Sequence, residues 1–197
     1  MAEGVDTPTA ILAQAAAALR EYPFDDLSYR ALGDAVGVSE RTVYRHFPTR
    51  SHLLEGVAGW IESTVFPVPP FVTIAQFQAA ARARFLAFDS SPAFAFVCAR
   101  AASISPTNVP EPTFFTRALV AMLATTHPSV NERDQRRVAS TLRYFASAQF
   151  WARMRTGFEM SAPAIADVFD RTVAAALGDV FVLREGGMNT VSRRATP

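Results

Sequence analysis

The residues of this chain best equipped for chemistry lie between positions 30 and 50: Arg30, Arg41, Thr42, Tyr44, Arg45, His46 and Arg50. Five of them crowd into Glu40–His46, around the single apolar Val43. Their side chains are hydrogen-bond donors, and the arginines carry permanent charge. That chemistry suits phosphate oxygens and base edges. Arg41 and Thr42 open the segment, so a helix there presents them first to a groove. Arg41 can grip guanine through two parallel hydrogen bonds or stand as a solvated surface arginine. Arg30 is a flank contact, and Arg45 points either to a nucleic-acid backbone or to solvent. His46 fits a phosphate or base contact better than catalysis, because no carboxylate accompanies it. Glu40 can accept from a cytosine amino group or simply favour a helix N-terminus; the second reading is preferred.

Such donors need a rigid mount, and the surrounding spacing supplies one. Leu32 and Val36, four apart, mark one face of a helix over Ser28–Val36. Gly33 between them lets a second helix cross closely. Gly37 suits a left-handed helix end, Val38 plugs the corner, and Ser39 caps the next helix, Glu40–His46. Two short helices about a tight turn, the second rich in donors, have the geometry of a helix-turn-helix over residues 28–47. Residues 1–50 carry five Arg against seven acidic residues, yet within 27–50 Arg30, Arg41, Arg45 and Arg50 face only Asp34 and Glu40. The positive field is focused on the motif. Asp25 and Asp26 precede a helix N-terminus, where the dipole alone accounts for them.

Gly37-Val38-Ser39, Thr42-Val43-Tyr44, His46-Phe47, Arg50 and Leu53-Leu54 together resemble the DNA-binding motif of the TetR family of bacterial transcriptional regulators. The resemblance covers about the first third of the chain, and no family motif is matched beyond residue 65. It implies a homodimeric regulator, mostly a repressor, whose C-terminal domain binds a ligand that loosens its hold on DNA. It also implies that Tyr44 contacts a phosphate, and that Arg50 stands where the family usually places Lys against one.

Periodicity gives an all-α fold of about nine helices; the resemblance implies an N-terminal three-helix DNA-binding domain followed by a helical ligand-binding and dimerisation domain. Helices are expected near Pro8–Glu21, Ser51–Val65, Thr73–Phe88, Pro92–Ile104 and Thr113–Thr126. Two long ones follow, over Asn131–Gly157 and Pro163–Leu183. The Pro67–Pro70 run cannot be helical and marks a domain boundary, dividing the chain into 1–66, 67–184 and a disordered tail, 185–197. Ser105–Pro112 reads as a loop. Val138, Leu142, Phe145 and Ala152, with Ile165, Val168, Phe169, Thr172, Val173 and Ala176, mark faces for self-association or for closing one subunit's core. Phe88, Phe96, Phe115, Tyr144, Trp151 and Met154 are candidates to line a cavity for a small apolar effector, with an ordinary packed core as the alternative.

Composition narrows the remaining classes. Half of the 197 residues are hydrophobic, 16 of them Phe, which excludes disorder for most of the length. All 19 basic residues are Arg, which together with abundant Ala reads as the codon bias of a GC-rich genome. A single Cys excludes an internal disulfide or a Cys-cluster zinc site. His46, His52 and His127 are scattered, and neither a Gly-x-Ser-x-Gly elbow nor a phosphate loop occurs, so no enzyme activity, cofactor or metal is expected. No apolar stretch is long enough to span a bilayer. The expected setting is the bacterial cytoplasm, at the nucleoid when bound to double-stranded DNA.

Overall fold

In the computed structural model of the chain, the described residues are 6–103 and 114–191, with side chains to 178. Their regular structure is all-helical. It comprises α1 (Thr7–Ala18), a single 3-10 turn (Phe24–Asp26), α2 (Tyr29–Val36), α3 (Glu40–His46), α4 (Arg50–Thr64), α5 (Ile74–Ser90), α6 (Pro92–Ala101), α7 (Phe114–Thr126), α8 (Glu132–Phe145), α9 (Ala148–Phe158) and α10 (Ala162–Val191). The loop expected over 105–112 lies outside the described residues, as do 192–197.

The chain forms two compact units, one of residues 1–68 with 86–108 and the other of 69–85 with 109–197. The first junction falls inside the Pro67–Pro70 run. The return of residues 86–108 to the first unit was not readable from proline punctuation, because α5 crosses the second junction without a break.

In the first unit α4 packs against both α1 and α6. Ile11 and Ala15 of α1 and its C-cap Leu19 are buried, as are Leu53, Leu54, Val57 and Ile61 of α4. Burying these aliphatic faces is what holds helices of this length, which are marginal alone in water. Cys98 of α6 lies with its Sγ 3.8 Å from the carbonyl of Ala58. Phe66 and Phe88 meet edge-on, centroids 4.8 Å apart.

The second unit is built on aromatic rings. Phe77 is 5.3 Å from Phe71, 6.1 Å from Phe115 and 5.5 Å from Phe169. Phe85 in turn reaches Phe169 and Phe150. Tilted and edge-on contacts of this kind suit the ring quadrupole. Asp170 of α10 accepts from Gln78 and pairs with Arg82, both on α5.

Three elements depart from the periodic reading. The helix expected over 131–157 is broken between α8 and α9: Ser147 caps α9 by accepting from Phe150 N–H, while its hydroxyl donates to the Tyr144 carbonyl. A serine that satisfies the backbone locally offers it an alternative to continuing the helix. α10 continues to Val191, through residues 185–191 of the tail expected to be disordered. Finally, Val138, Leu142, Ile165, Phe169 and Val173 are buried within the unit itself, whereas Ala174 and Ala175 are exposed. These five close the subunit's own core, while Phe145, Ala152, Val168, Thr172 and Ala176 of the same faces are half-buried.

Candidate nucleic-acid interface

The geometry of the reading head follows from its caps. Ser28 accepts from Ala31 N–H and starts α2; Ser39 accepts from Thr42 N–H and starts α3. Between them Gly37 takes φ 75°, the left-handed conformation that a side chain would strain. Gly33 serves a different purpose. A Cβ there would lie 2.7 Å from the Val38 carbonyl oxygen, so α2 and the turn into α3 are in backbone contact. Val43, fully buried, anchors α3 from beneath.

With Val43 inward, the other residues of α3 turn outward at about 100° per step. Arg41 and Arg45 are exposed, Thr42 and His46 half-buried, and Tyr44 is 51% exposed. An open concavity of about 370 Å³ is lined by Ser39, Arg41, Thr42, Tyr44 and Arg45. These are neighbours on one helix, and the structure brings four of the seven nominated residues to one surface. The Thr42 hydroxyl lies 3.0 Å from that of Ser39, so part of its hydrogen-bonding capacity is already used. Arg30 is exposed on α2.

Arg50 is placed differently from the expectation. Its guanidinium donates from Nη1 to the Leu27 carbonyl and from Nη2 to the Phe24 carbonyl, and it lies 4.8 Å over the Phe24 ring. Half-buried, it ties the start of α4 to the loop before α2. The same ring is met from another side by Arg100 of α6, at 5.7 Å, and Arg100 pairs with Asp25 at 2.8 Å. That hydrogen bond, reinforced by the charges of Arg100 and Arg50, holds the Asp25 carboxyl below its ordinary range against a lesser effect of burial. Asp25, read from the sequence as a dipole effect alone, is thus half of an ion pair spanning 75 residues.

Sequence reasoning missed Tyr29. This first residue of α2 is 5% exposed, and its ring stacks on Tyr44 with centroids 4.4 Å apart and planes tilted by 48°. Its aromatic character was the available signal, masked by the ease with which any apolar residue fills that position.

The six residues nominated for an effector cavity fall in different units. Phe88 and Phe96 belong to the first, and Phe115, Tyr144, Trp151 and Met154 to the second. Trp151 and Phe115 are buried and Met154 is half-buried, whereas Tyr144 and Phe96 are 53% and 40% exposed. An aromatic on a helix reads as core from composition alone; these two lie on the outward side.

Among the described residues no group of His, Cys, Asp and Glu could hold a metal ion, and no helix is long and apolar enough to cross a membrane.

Residues 11–57 match the family model described as bacterial regulatory proteins, tetR family. The nucleoid occlusion factor SlmA of Marinomonas sp. (strain MWYL1) is 39% identical over 61 residues, 31% of each chain. Its counterpart from Alteromonas mediterranea is 39% identical over 56 residues, 28% of this chain and 29% of that one. The chain thus aligns with less than a third of the length of these relatives. The matched segment spans both caps, both glycines and the whole of α3, so residues 11–57 form a helix-turn-helix similar to the DNA-binding segment of the tetR family.

Proposed function

We propose that the chain is a transcriptional regulator that acts as a homodimeric, ligand-responsive repressor on a palindromic operator. The observation that carries this reading is the outward row on α3: Arg41, Thr42, Tyr44 and Arg45 around one concavity, above a buried Val43. Arg41 and Thr42, at the N-terminal end of α3, read base edges. Tyr44 takes a phosphate, with Arg30, Arg45 and His46 alongside. Arg50 acts from behind, holding the start of α4 against the loop that leads into α2. A single head of this size covers only a few base pairs, so two-fold repetition supplies the affinity and makes the operator a palindrome with half-sites about one helical turn apart.

The effector reading rests on the second unit. Its aromatic core contains Arg84, only 4% exposed, with its guanidinium 5.7 Å from the Phe115 ring; Arg143 lies 4.7 Å from the same ring. A small apolar effector is the ligand that a core so rich in rings suits.

Selection of duplexes from a random library by the full chain tests the first part, with a symmetric consensus as the expected product. On that consensus Arg41→Ala should change which bases are preferred, since only base edges carry sequence, whereas Tyr44→Phe should weaken all sites by a similar factor. An Arg41→Ala protein with unaltered affinity and preference would take α3 out of the groove.

A further inference from the structure

Tyr29 carries a hydroxyl that is buried and meets no hydrogen-bond partner among the described residues. Phenylalanine would fill the same space without removing a polar group from water, and a buried orphan donor ordinarily costs its full desolvation. The neighbours of its ring give the hydroxyl a use. On one side Arg50, fixed by the Phe24 and Leu27 carbonyls, holds its charge 5.9 Å from the Tyr29 centroid. On the other, Tyr44 stacks on the ring and is half-exposed at the DNA-facing surface. The unit is therefore a fixed cation, a buried ring with an unspent donor, and a half-exposed outer ring. Burial keeps the Tyr29 phenol above its ordinary value, against the smaller opposing charge of Arg50, so the group stays a neutral donor at working pH.

We infer that Tyr29 is a positioning residue for DNA binding: its ring aims Tyr44 at the phosphodiester backbone, and its hydroxyl gains a phosphate oxygen as partner only on the duplex. This rests on the reading that α3 docks on DNA. With Tyr44 kept on the Tyr29 ring as it meets a phosphate, the Tyr29 hydroxyl donates to the same anion, which the charge of Arg50 helps to draw in. Phosphate is the fitting acceptor because hydrogen bonds to ionised oxygens are the stronger kind and because the backbone is the ligand nearest Tyr44.

The test uses the full chain and a duplex selected by the wild-type protein, with affinity read by fluorescence anisotropy and stability by thermal unfolding. Tyr29→Phe removes only the hydroxyl. It is expected to weaken binding about tenfold, to leave base preference and the salt dependence of affinity unchanged, and to unfold at or above the wild-type temperature. That opposition of signs separates it from a structural role, in which affinity and stability fall together. Tyr29→Leu, which also removes the stack, should bind more weakly than Tyr29→Phe. The double variant Tyr29→Phe/Tyr44→Phe should lose less than the sum of its parts, because both hydroxyls serve one phosphate.

Wild-type affinity in Tyr29→Phe overturns the inference, whether its stability rises or falls. If affinity and stability drop together in that variant, the hydroxyl is structural and the inference also falls. Should Tyr29→Phe bind normally while Arg41→Ala and Tyr44→Phe fail, only the role of Tyr29 is lost. A wild-type chain that selects no duplex removes the docking of α3 and this inference with it.

Discussion

Phe24 is gripped by two guanidiniums, Arg50 at 4.8 Å and Arg100 at 5.7 Å, and Asp25 next to it holds Arg100 in place. The arrangement joins α4, α6 and the 3-10 turn through one ring, with cation–π contacts each worth about 0.5–1 kcal/mol where exposed. Because Asp25 has a depressed carboxyl pKa, the folded state binds that proton less tightly than the unfolded chain does. The stabilisation from the pair is therefore complete above the ordinary carboxylate range and is lost as the pH falls through the lowered value. Arg100→Gln should return Asp25 to ordinary titration, followed by carboxyl NMR; an unchanged titration would mean that the pair is not populated in solution. The outward set of α3 was legible in the sequence, because a fixed angular step from Val43 decides it. The partners of Asp25 and Arg50 were not. They lie 75 and 23–26 residues away, and for Asp25 a nearby helix dipole already gave a sufficient account.

At the scale of elements, the turn between α2 and α3 depends on the absence of one methyl group. Gly33→Ala would place a Cβ 2.7 Å from the Val38 carbonyl and 3.3 Å from the Glu40 nitrogen, atoms of backbone that cannot swing aside. We expect a loss of about 1–3 kcal/mol in stability, from overpacking, together with a larger loss of DNA affinity as α3 shifts. Urea unfolding and duplex binding measured on the same protein check both, and an unperturbed variant would mean that the two helices cross less closely than described. The helices of the motif were legible nearly to the residue because their limits are set by caps, and a cap is a local sequence event: Ser28, Gly37 and Ser39 stand where the structure uses them. The 131–157 segment failed for the converse reason. Apolar periodicity runs through Ser147 on both sides, and only the choice of that hydroxyl to cap α9 ends α8. In the tail, helix continues to Val191 without an apolar face to announce it, since each added residue contributes its own backbone hydrogen bond.

For the whole molecule the decisive question is assembly. Val138, Leu142, Ile165, Phe169 and Val173 are buried within the second unit, while Phe145, Ala152, Val168, Thr172 and Ala176 are half-buried and Ala174 and Ala175 are small and exposed; on the homodimer proposed above, these two lie on the face toward the second copy. Ala175→Glu is therefore expected to yield monomers in sedimentation while leaving each subunit folded, because the substituted side chain starts in solvent. A folded protein that remains dimeric would place the interface elsewhere. The membership of α6 in the unit that carries the helix-turn-helix has a further consequence, in time rather than in space. Chains leave the ribosome N-terminus first and domains generally fold as units. Here the unit that carries the reading head lacks its own α6 until synthesis has passed Ala101, with α5 and the opening of the other unit already made. Only after that point in translation can α4, the helix that follows the helix-turn-helix, have both α1 and α6 to pack against.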